Sequence, residues 1–444
     1  MTYDVYHGDC LDVMRTMADG SVDAVISDPP YGLSFMGREW DHGVPGIPFW
    51  AEALRVAKPG AHLVAFGGTR TYHRLTCAIE DAGWEVRDCL MWLYGSGFPK
   101  SLDVSKAIDK AAGAEREVVG PRLMPDGRPV SDVRGQTKTE GWDRPWRSDP
   151  DAVAMNMIQT APATDAARQW SGWGTALKPA WEPIILARKP LSGTVAANVQ
   201  AHGTGAINID ACRLSTDFAG DRTGEASAAR RYASNGVVDI AAMPGPRGGS
   251  PSGRWPANLM LDESAARALD AQTGTLTSGK SSGFIGDVKG SVAMGCNRSM
   301  INPENIYGDR GGPSRFFYTS KASAEDREGG LYARDFDAKP QDPTRKADSP
   351  GGNNPRNNGA KLRMNHHPTV KPTDLMRWLC RLVAPPGGLI LDPFMGSGST
   401  GVAALLEGFR FVGIDREAEY VEIARHRLKD ASRQPGLFDP PAVG

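Results

Sequence analysis

Apolar and polar positions fall into short alternating blocks over the first hundred residues. Val22-Asp23-Ala24-Val25-Ile26 is apolar, β-branched and closed by a turn-forming Asp-Pro-Pro, which predicts a buried strand. Ala61-His62-Leu63-Val64-Ala65-Phe66, set between Pro59-Gly60 and Gly67-Gly68, predicts a second, and residues 84–94 a third. Between the first two, Trp50, Ala53, Leu54 and Ala57 share one face at helical spacing. Strands alternating with helices imply parallel βαβ units.

The C-terminal part repeats the pattern. Leu389-Ile390-Leu391 follows Pro385-Pro386-Gly387-Gly388 as a short buried strand and enters a glycine-rich turn at 396–401. A helix is expected from Val402 to Glu407, a strand at Phe411-Val412-Gly413-Ile414, and an amphipathic helix from Glu417 to Leu428. Residues 101–370 are less regular, with loop chemistry at 121–132, 241–256 and 349–361. Strand candidates persist there at 183–187, 206–209, 258–261 and 316–318, so the middle reads as ordered but loop-rich, with no internal repeat.

Composition narrows the class. At 444 residues the chain predicts two domains or one large domain with an insertion. Its 40% hydrophobic content supports a sizeable core, and 23% charged residues exclude a disordered polyelectrolyte. No apolar run approaches the roughly 18 residues of a membrane span. Met1-Thr2-Tyr3-Asp4 does not open a signal peptide. Six cysteines without C-x-x-C spacing argue against a disulfide framework or zinc ribbon, so a cytoplasmic protein is expected. Glycine (52) and proline (33) are in excess, much of it in the loop-rich middle. The net charge of −1 gives no overall nucleic-acid signature, although 351–381 is locally basic, with Arg356, Lys361, Arg363, Lys371, Arg377 and Arg381 against Asp374.

Four segments carry candidate chemistry. Ser27-Asp28-Pro29-Pro30-Tyr31 follows a predicted strand, where open α/β sheets bind ligands. Two prolines fix the backbone and remove two N–H donors, leaving carbonyls, the Asp28 carboxylate and the Tyr31 ring. That set suits an exocyclic amino group on a flat base; the plain alternative is a tight turn capped by Asp28. Asp392-Pro393-Phe394-Met395-Gly396-Ser397-Gly398 through Gly401 lies between a strand and a helix, with Asp415 ending the next strand. Its G-x-G-x-x-G spacing suits close backbone approach to a nucleotide, and by itself also admits a nicotinamide-dependent oxidoreductase. Gly8-Asp9-Cys10-Leu11 follows the strand-like Tyr3–Tyr6, with Asp9 as a helix cap or an acceptor. His367-Pro368-Thr369-Val370-Lys371-Pro372-Thr373 leads into a helix from Asp374 to Val383, with Thr373 as the expected N-cap.

Together these motifs resemble the SAM-dependent DNA amino-methyltransferases, which methylate the N6 of adenine or the N4 of cytosine. Asp28-Pro29-Pro30-Tyr31 is similar to their catalytic motif and Asp392-Pro393-Phe394 through Gly398 to their cofactor motif. The catalytic motif comes first, as in the permuted β class. The resemblance covers about residues 1–100 and 365–430, with weaker islands at 181–189 and 316–323.

It implies a Rossmann-like α/β fold with a mostly parallel twisted sheet, circularly permuted motif order and a loop-rich target-recognition insertion. Residues 1–100 would form the catalytic half, 101–364 the inserted region (with 181–190 returning to the sheet), 365–430 the SAM-binding half and 431–444 a tail. It further implies that Asp28, Pro29, Pro30 and Tyr31 are catalytic. Asp9, Cys10, Lys371, Thr373, Asp392, Phe394, Gly396, Gly398 and Asp415 would bind S-adenosyl-L-methionine, and Lys371 and Thr373 would reach its carboxylate. Asp at the first motif position leans to N6-adenine in double-stranded DNA, with N4-cytosine the alternative. A bacterial or phage-encoded origin is implied; a homodimer and a cognate restriction endonuclease stay open as further partners.

A cytosine-C5 enzyme needs a nucleophilic cysteine, in that family after proline, and none of Cys10, Cys77, Cys89, Cys212, Cys296 and Cys380 follows one. His366 and His367 have no partners at metal-ligand spacing, so no metal is expected. Arg222, Arg230, Arg231, Arg247 and Arg254 are candidates for DNA contact. Trp142, Trp146, Trp170, Trp173 and Trp181 are expected to anchor a small core.

Overall fold

The computed structural model describes residues 2–33, 43–95, 97, 101–123, 158–214, 253–277, 310–320, 325–332, 336, 339–340 and 362–433. The chain divides into two compact units. The first comprises 1–95, 181–326 and 371–444; the second comprises 96–180 and 327–370.

Among the described residues, the main sheet of the first unit has nine strands: β1 (Tyr3–His7), β2 (Val22–Ser27), β3 (Ala57–Phe66), β4 (Glu85–Leu93), β5 (Trp181–Arg188), β6 (Leu259–Asp262), β7 (Tyr318–Ser320), β8 (Leu389–Asp392) and β9 (Arg410–Asp415). They form one sheet in the order β1-β9-β8-β2-β3-β5-β4-β6-β7. Every neighbouring pair is parallel except the two made by β5. A lone antiparallel strand brings its N-terminal end to the edge where the parallel strands have their C-terminal ends.

Strand periodicity explains the two cores. On β3, Val64 and Phe66 face one side while Ala61, Leu63 and Ala65 face the other; on β5, Ile184 and Leu186 oppose Ile185 and Ala187. One face packs against helices α6 (Thr373–Val383), α7 (Ser399–Leu406) and α8 (Ala418–Ala431). The other packs against α1 (Cys10–Thr16), α2 (Ile47–Val56) and α3 (Tyr72–Asp81), with Trp50 and Trp84 buried. With helices on both sides, the strands can be apolar throughout, and β2 is buried at all six positions. The mostly parallel α/β sheet expected from the sequence is therefore the observed one.

The second unit pairs helices α4 (Val104–Ala111) and α5 (Asp165–Gln169) with a two-stranded ribbon, Val118–Pro121 against Ile158–Thr160. Asp109 ties it together. Its carboxylate takes the Arg116 guanidinium at 2.6 Å, the N–H groups of Ala163 and Thr164 at 3.0 Å each, and the Thr164 hydroxyl at 2.8 Å. Burial works against the charge, but these donors outweigh it and lower the pKa to about 2.

Several expectations need correction. Within the expected insertion 101–364, residues 181–326 cluster with 1–95 and 371–444, and β6 and β7 extend the sheet beyond β4. No strand forms at 206–209. Gly203 and Gly205 take positive φ just before it, and the Asn208 N–H donates to the Leu382 carbonyl at the end of α6. At 316–318 a 3₁₀ turn (Pro313–Phe316) precedes β7, because proline opens a turn more readily than it pairs in a sheet. Trp170 and Trp173 meet edge to face with ring centroids 5.0 Å apart but are 41% and 60% exposed, so they do not anchor a core. Trp181 packs against Tyr72 at 6.2 Å. Trp142 and Trp146 lie outside the described residues, as does the tail beyond 433.

Candidate active site

Parallel strands present their C-terminal ends along one edge, and the motifs collect there. β1 and β9 run in register to His7 and Asp415, so Asp9 and Asp415 leave neighbouring strand ends. β8 and β2 are adjacent, which sets Asp392 and its glycine turn beside Ser27-Asp28. Segments separated by more than 360 positions thus meet at the middle of the sheet.

On the glycine-turn side, each carboxylate is satisfied by neutral donors. Asp392 is buried and accepts from the Ser27 and Thr400 hydroxyls, both at 2.6 Å, and from the Phe394 N–H at 3.1 Å. Burial raises its pKa to about 7 against the lowering effect of those donors. Asp392 is therefore a knot between the two motifs. Asp415 accepts from the N–H groups of Gly396 and Glu417, both at 2.8 Å, and burial raises its pKa as well. Asp9 caps α1 through the Leu11 N–H at 2.8 Å and is otherwise exposed. A carboxylate oxygen has two lone pairs, so Asp415 and Asp9 keep acceptor capacity for hydroxyl or amino groups.

The glycines have distinct reasons. Gly396 and Gly398 have φ of +53° and +82°, the left-handed region that side chains rarely adopt. A Cβ on Gly398 would also sit 3.0 Å from Ala424 Cβ, and one on Gly401 2.5 Å from the Phe411 ring. Gly398 and Gly401 thus let α7 approach α8 and β9. The Phe394 ring, half-buried, packs against Phe49 and Trp50 at 5.8 and 6.0 Å. Cys10 is buried and its thiol is pushed up to about 12 by burial, then by Asp9, which removes it as a nucleophile.

The other side is ionic. Asp28 Oδ2 accepts from Lys371 Nζ at 2.6 Å, and its Oδ1 from the Tyr31 hydroxyl at 2.8 Å. Lys371 Nζ also lies 3.2 Å from the Tyr31 hydroxyl, 3.4 Å from Glu182 Oε2 and 4.9 Å from the Phe66 ring centre. Burial opposes its charge, but Asp28 and Glu182 prevail and raise the pKa of the ammonium. Tyr31 is pushed well above its ordinary value by burial, then by Asp28 and Glu182, so its hydroxyl keeps its proton. Gly68 makes room for the Tyr31 ring: a Cβ there would be 3.2 Å from Tyr31 Cδ2. Pro29 is buried and Pro30 half-buried in the same turn.

Sequence reasoning placed Lys371 and Thr373 toward a cofactor. The Lys371 ammonium sits on Asp28. Thr373 is the first residue of α6 and not its N-cap, which is Pro372; its N–H donates to Asp326 Oδ1 at 2.8 Å. Sequence reasoning also missed Glu182, whose signal was one acid in the otherwise apolar run Trp181–Ala187 that opens β5. The described members of the basic stretch are not all available to phosphate, since Arg377 and Arg381 both pair with buried Glu407 at 2.6 and 2.8 Å. Arg254 lies over the Phe316 ring at 4.9 Å, while Arg222, Arg230, Arg231, Arg247, Arg356 and Lys361 fall outside the described residues. Among the described residues no cluster has the composition of a metal site, and no helix is long and apolar enough to cross a membrane.

The N6/N4 methyltransferase family profile, described as a DNA methylase, matches residues 285–426. The type II methyltransferase M2.DpnII of Streptococcus pneumoniae is 52% identical over 63 residues, 14% of this chain and 24% of that protein. The DNA adenine methyltransferase YhdJ of Escherichia coli is 40% identical over 67 residues, 15% of this chain and 23% of that protein. The chain thus spans about a quarter of the length of these curated relatives. The solved structure of the cytosine-N4-specific PvuII DNA methyltransferase aligns over 96% of this chain and 86% of its own, at 13% identity and a TM-score of 0.38. With the profile match at 285–426 and the two motif blocks side by side in one sheet, the chain is recognised as similar to the N6/N4 amino-methyltransferase family of DNA methylases.

Proposed function

We propose that this protein is a SAM-dependent DNA methyltransferase that modifies the exocyclic N6 of adenine in double-stranded DNA. The observation that carries the reading is the adjacency of β2 and β8, which puts the Asp28-Pro29-Pro30-Tyr31 turn beside the Asp392–Gly401 turn. An acceptor-rich site for an amino group therefore lies next to a glycine turn suited to a nucleotide-like cofactor. That Asp28 precedes the glycine turn in the chain while the two strands are neighbours in the sheet supports the permuted motif order.

The residues present fit the cofactor. Asp415 and Asp9 would accept from its hydroxyl and amino groups, the turn at Phe394–Gly398 would admit close backbone approach, and Phe394 would supply an apolar wall. S-adenosyl-L-methionine supplies an electrophilic sulfonium methyl. The target base, unreachable within a duplex, is turned out of the stack. Asp28 and the Pro29 carbonyl accept hydrogen bonds from its amino group and aim the nitrogen lone pair, while Tyr31 offers a flat face. The amino nitrogen would take the methyl as the sulfonium S–C bond breaks and a neutral thioether leaves, its surplus proton would pass to solvent, and the rate comes from positioning and electrostatics. The lean to adenine is supported by Asp at position 28. The second unit is the candidate target-recognition region, and Arg254 a candidate DNA contact.

Purified protein incubated with methyl-labelled SAM and unmodified genomic duplex is expected to place label in DNA. Asp28→Ala is expected to abolish transfer while SAM binding persists. NAD binding with no label in DNA over a range of salt concentrations would overturn the reading in favour of an oxidoreductase.

A further inference from the structure

Lys371 Nζ stands 2.6 Å from Asp28 Oδ2, the range an N–H donor of a target amino group would occupy on that oxygen. Each carboxylate oxygen can accept a second hydrogen bond, so an incoming amino group competes with the resident ammonium where the two need the same side of Oδ2. The same Nζ is 3.4 Å from Glu182 Oε2, so a shift of about 0.6 Å would complete a charge-assisted bond to Glu182. Lys371 is almost fully buried and Glu182 and Asp28 are largely so, which makes water a poor substitute partner. The Tyr31 hydroxyl touches both acids, at 2.8 Å from Asp28 and 3.2 Å from Glu182. Two carboxylates thus share one cation. Glu182 comes from the antiparallel strand β5, whose direction brings its first residues to the binding edge.

We propose that Glu182 is a positioning residue for methyl transfer: it is the second seat of the Lys371 ammonium and draws it off Asp28 when the target amino group arrives. The inference rests on the methyltransferase reading and assigns a role to a residue outside the motifs. Without Glu182 the ammonium has a single counter-ion, and the pair it forms with Asp28 is shielded from water. Losing Glu182 therefore tightens the hold on Asp28 and slows transfer by acting through Lys371. This predicts suppression: a second substitution that removes the ammonium should return activity to a Glu182 variant.

The test is single-turnover transfer from saturating methyl-labelled SAM to unmodified duplex DNA by the full chain. Glu182→Gln is expected to slow transfer about 10- to 100-fold, with SAM affinity and melting temperature at the parental values. The double variant Glu182→Gln/Lys371→Met is expected to run at least about 5-fold faster than Glu182→Gln alone. A merely structural glutamate would give a double variant as slow as, or slower than, the single one. That result, or a parental rate for Glu182→Gln, overturns the inference. If Glu182→Gln melts early, Glu182→Asp with and without Lys371→Met makes the same comparison. A parent that transfers no label sinks both this inference and the methyltransferase reading, whereas an active parent without suppression sinks the inference alone.

Discussion

The two sides of the site satisfy their carboxylates in opposite ways. Around the glycine turn, Asp392 and Asp415 take neutral donors, most of them a few positions away: Phe394, Thr400 and Glu417. On the other side, Asp28 takes a full cation from Lys371, 343 positions distant, and shares it with Glu182. Neutral backbone and hydroxyl donors make a fixed cradle that can stay as it is when a cofactor docks. An ion pair with two possible counter-ions is exchangeable, which suits the proposed role of Asp28 as a carboxylate that changes partners during transfer.

The largest expected effect breaks the ionic side alone. Asp28→Asn keeps the shape but loses the charge and one acceptor, and should lower transfer on the order of 10²–10³-fold. Titration calorimetry should find its SAM affinity unchanged; a parallel loss of affinity would mean that the two sides are not separate.

On the cradle side the leading test is Gly401→Ala. A methyl there meets the Phe411 ring and Leu428 Cδ2 at 2.5 and 2.6 Å, so α7 must move or the ring must turn. The expected cost is about 1–3 kcal/mol, read as a lower melting temperature with weakened SAM binding. Thr400→Val should be milder. It removes one donor to Asp392 and should cost about 1–2 kcal/mol, read by urea denaturation at pH 7.

How much of this was legible in the sequence follows the same division. The glycine turn is a local device: strand, turn, helix and the acid of the next strand all lie within 389–415, so spacing exposed it. The buried strands β2, β3, β5, β8 and β9 were legible as short apolar runs bounded by Gly and Pro. The Asp28 turn was legible as a motif, but its cation was not, because nothing near Asp28 in the chain points to Lys371 or Glu182. The membership of 181–326 in the first unit was hidden for a related reason. β6 and β7, of four and three residues, declare themselves only by pairing in parallel next to β4. At 206–209 the apolar alternation misled, because flanking glycines and a bond to the end of α6 decided the backbone.

The smallest expected effect is a pH signature that sharpens the account of the cradle. Burial holds the Asp392 carboxyl at about 7, above its ordinary 3.8, so its contribution to stability is full below about 4 and is lost as pH rises through 7. His62, on β3, is pushed down from 6.5 to about 4 by burial, then by Arg188 and Arg87. Its contribution is full above 6.5 and lost as pH falls through 4. Between pH 4 and 7 the two oppose each other. Asp392→Asn should therefore make stability rise with pH more steeply than in the parent, and His62→Gln should do the reverse, as read by urea midpoints across that range. Identical slopes in all three proteins would remove Asp392 as a buried titrating knot.

The most direct test of the central claim is mass analysis of nucleosides from DNA of cells that express the full chain, alongside the Asp28→Ala variant. The account predicts N6-methyladenine above the vector control with the parent and none above it with the variant. N4-methylcytosine in its place would contradict the adenine assignment, and no methylated nucleoside above control would contradict the methyltransferase itself.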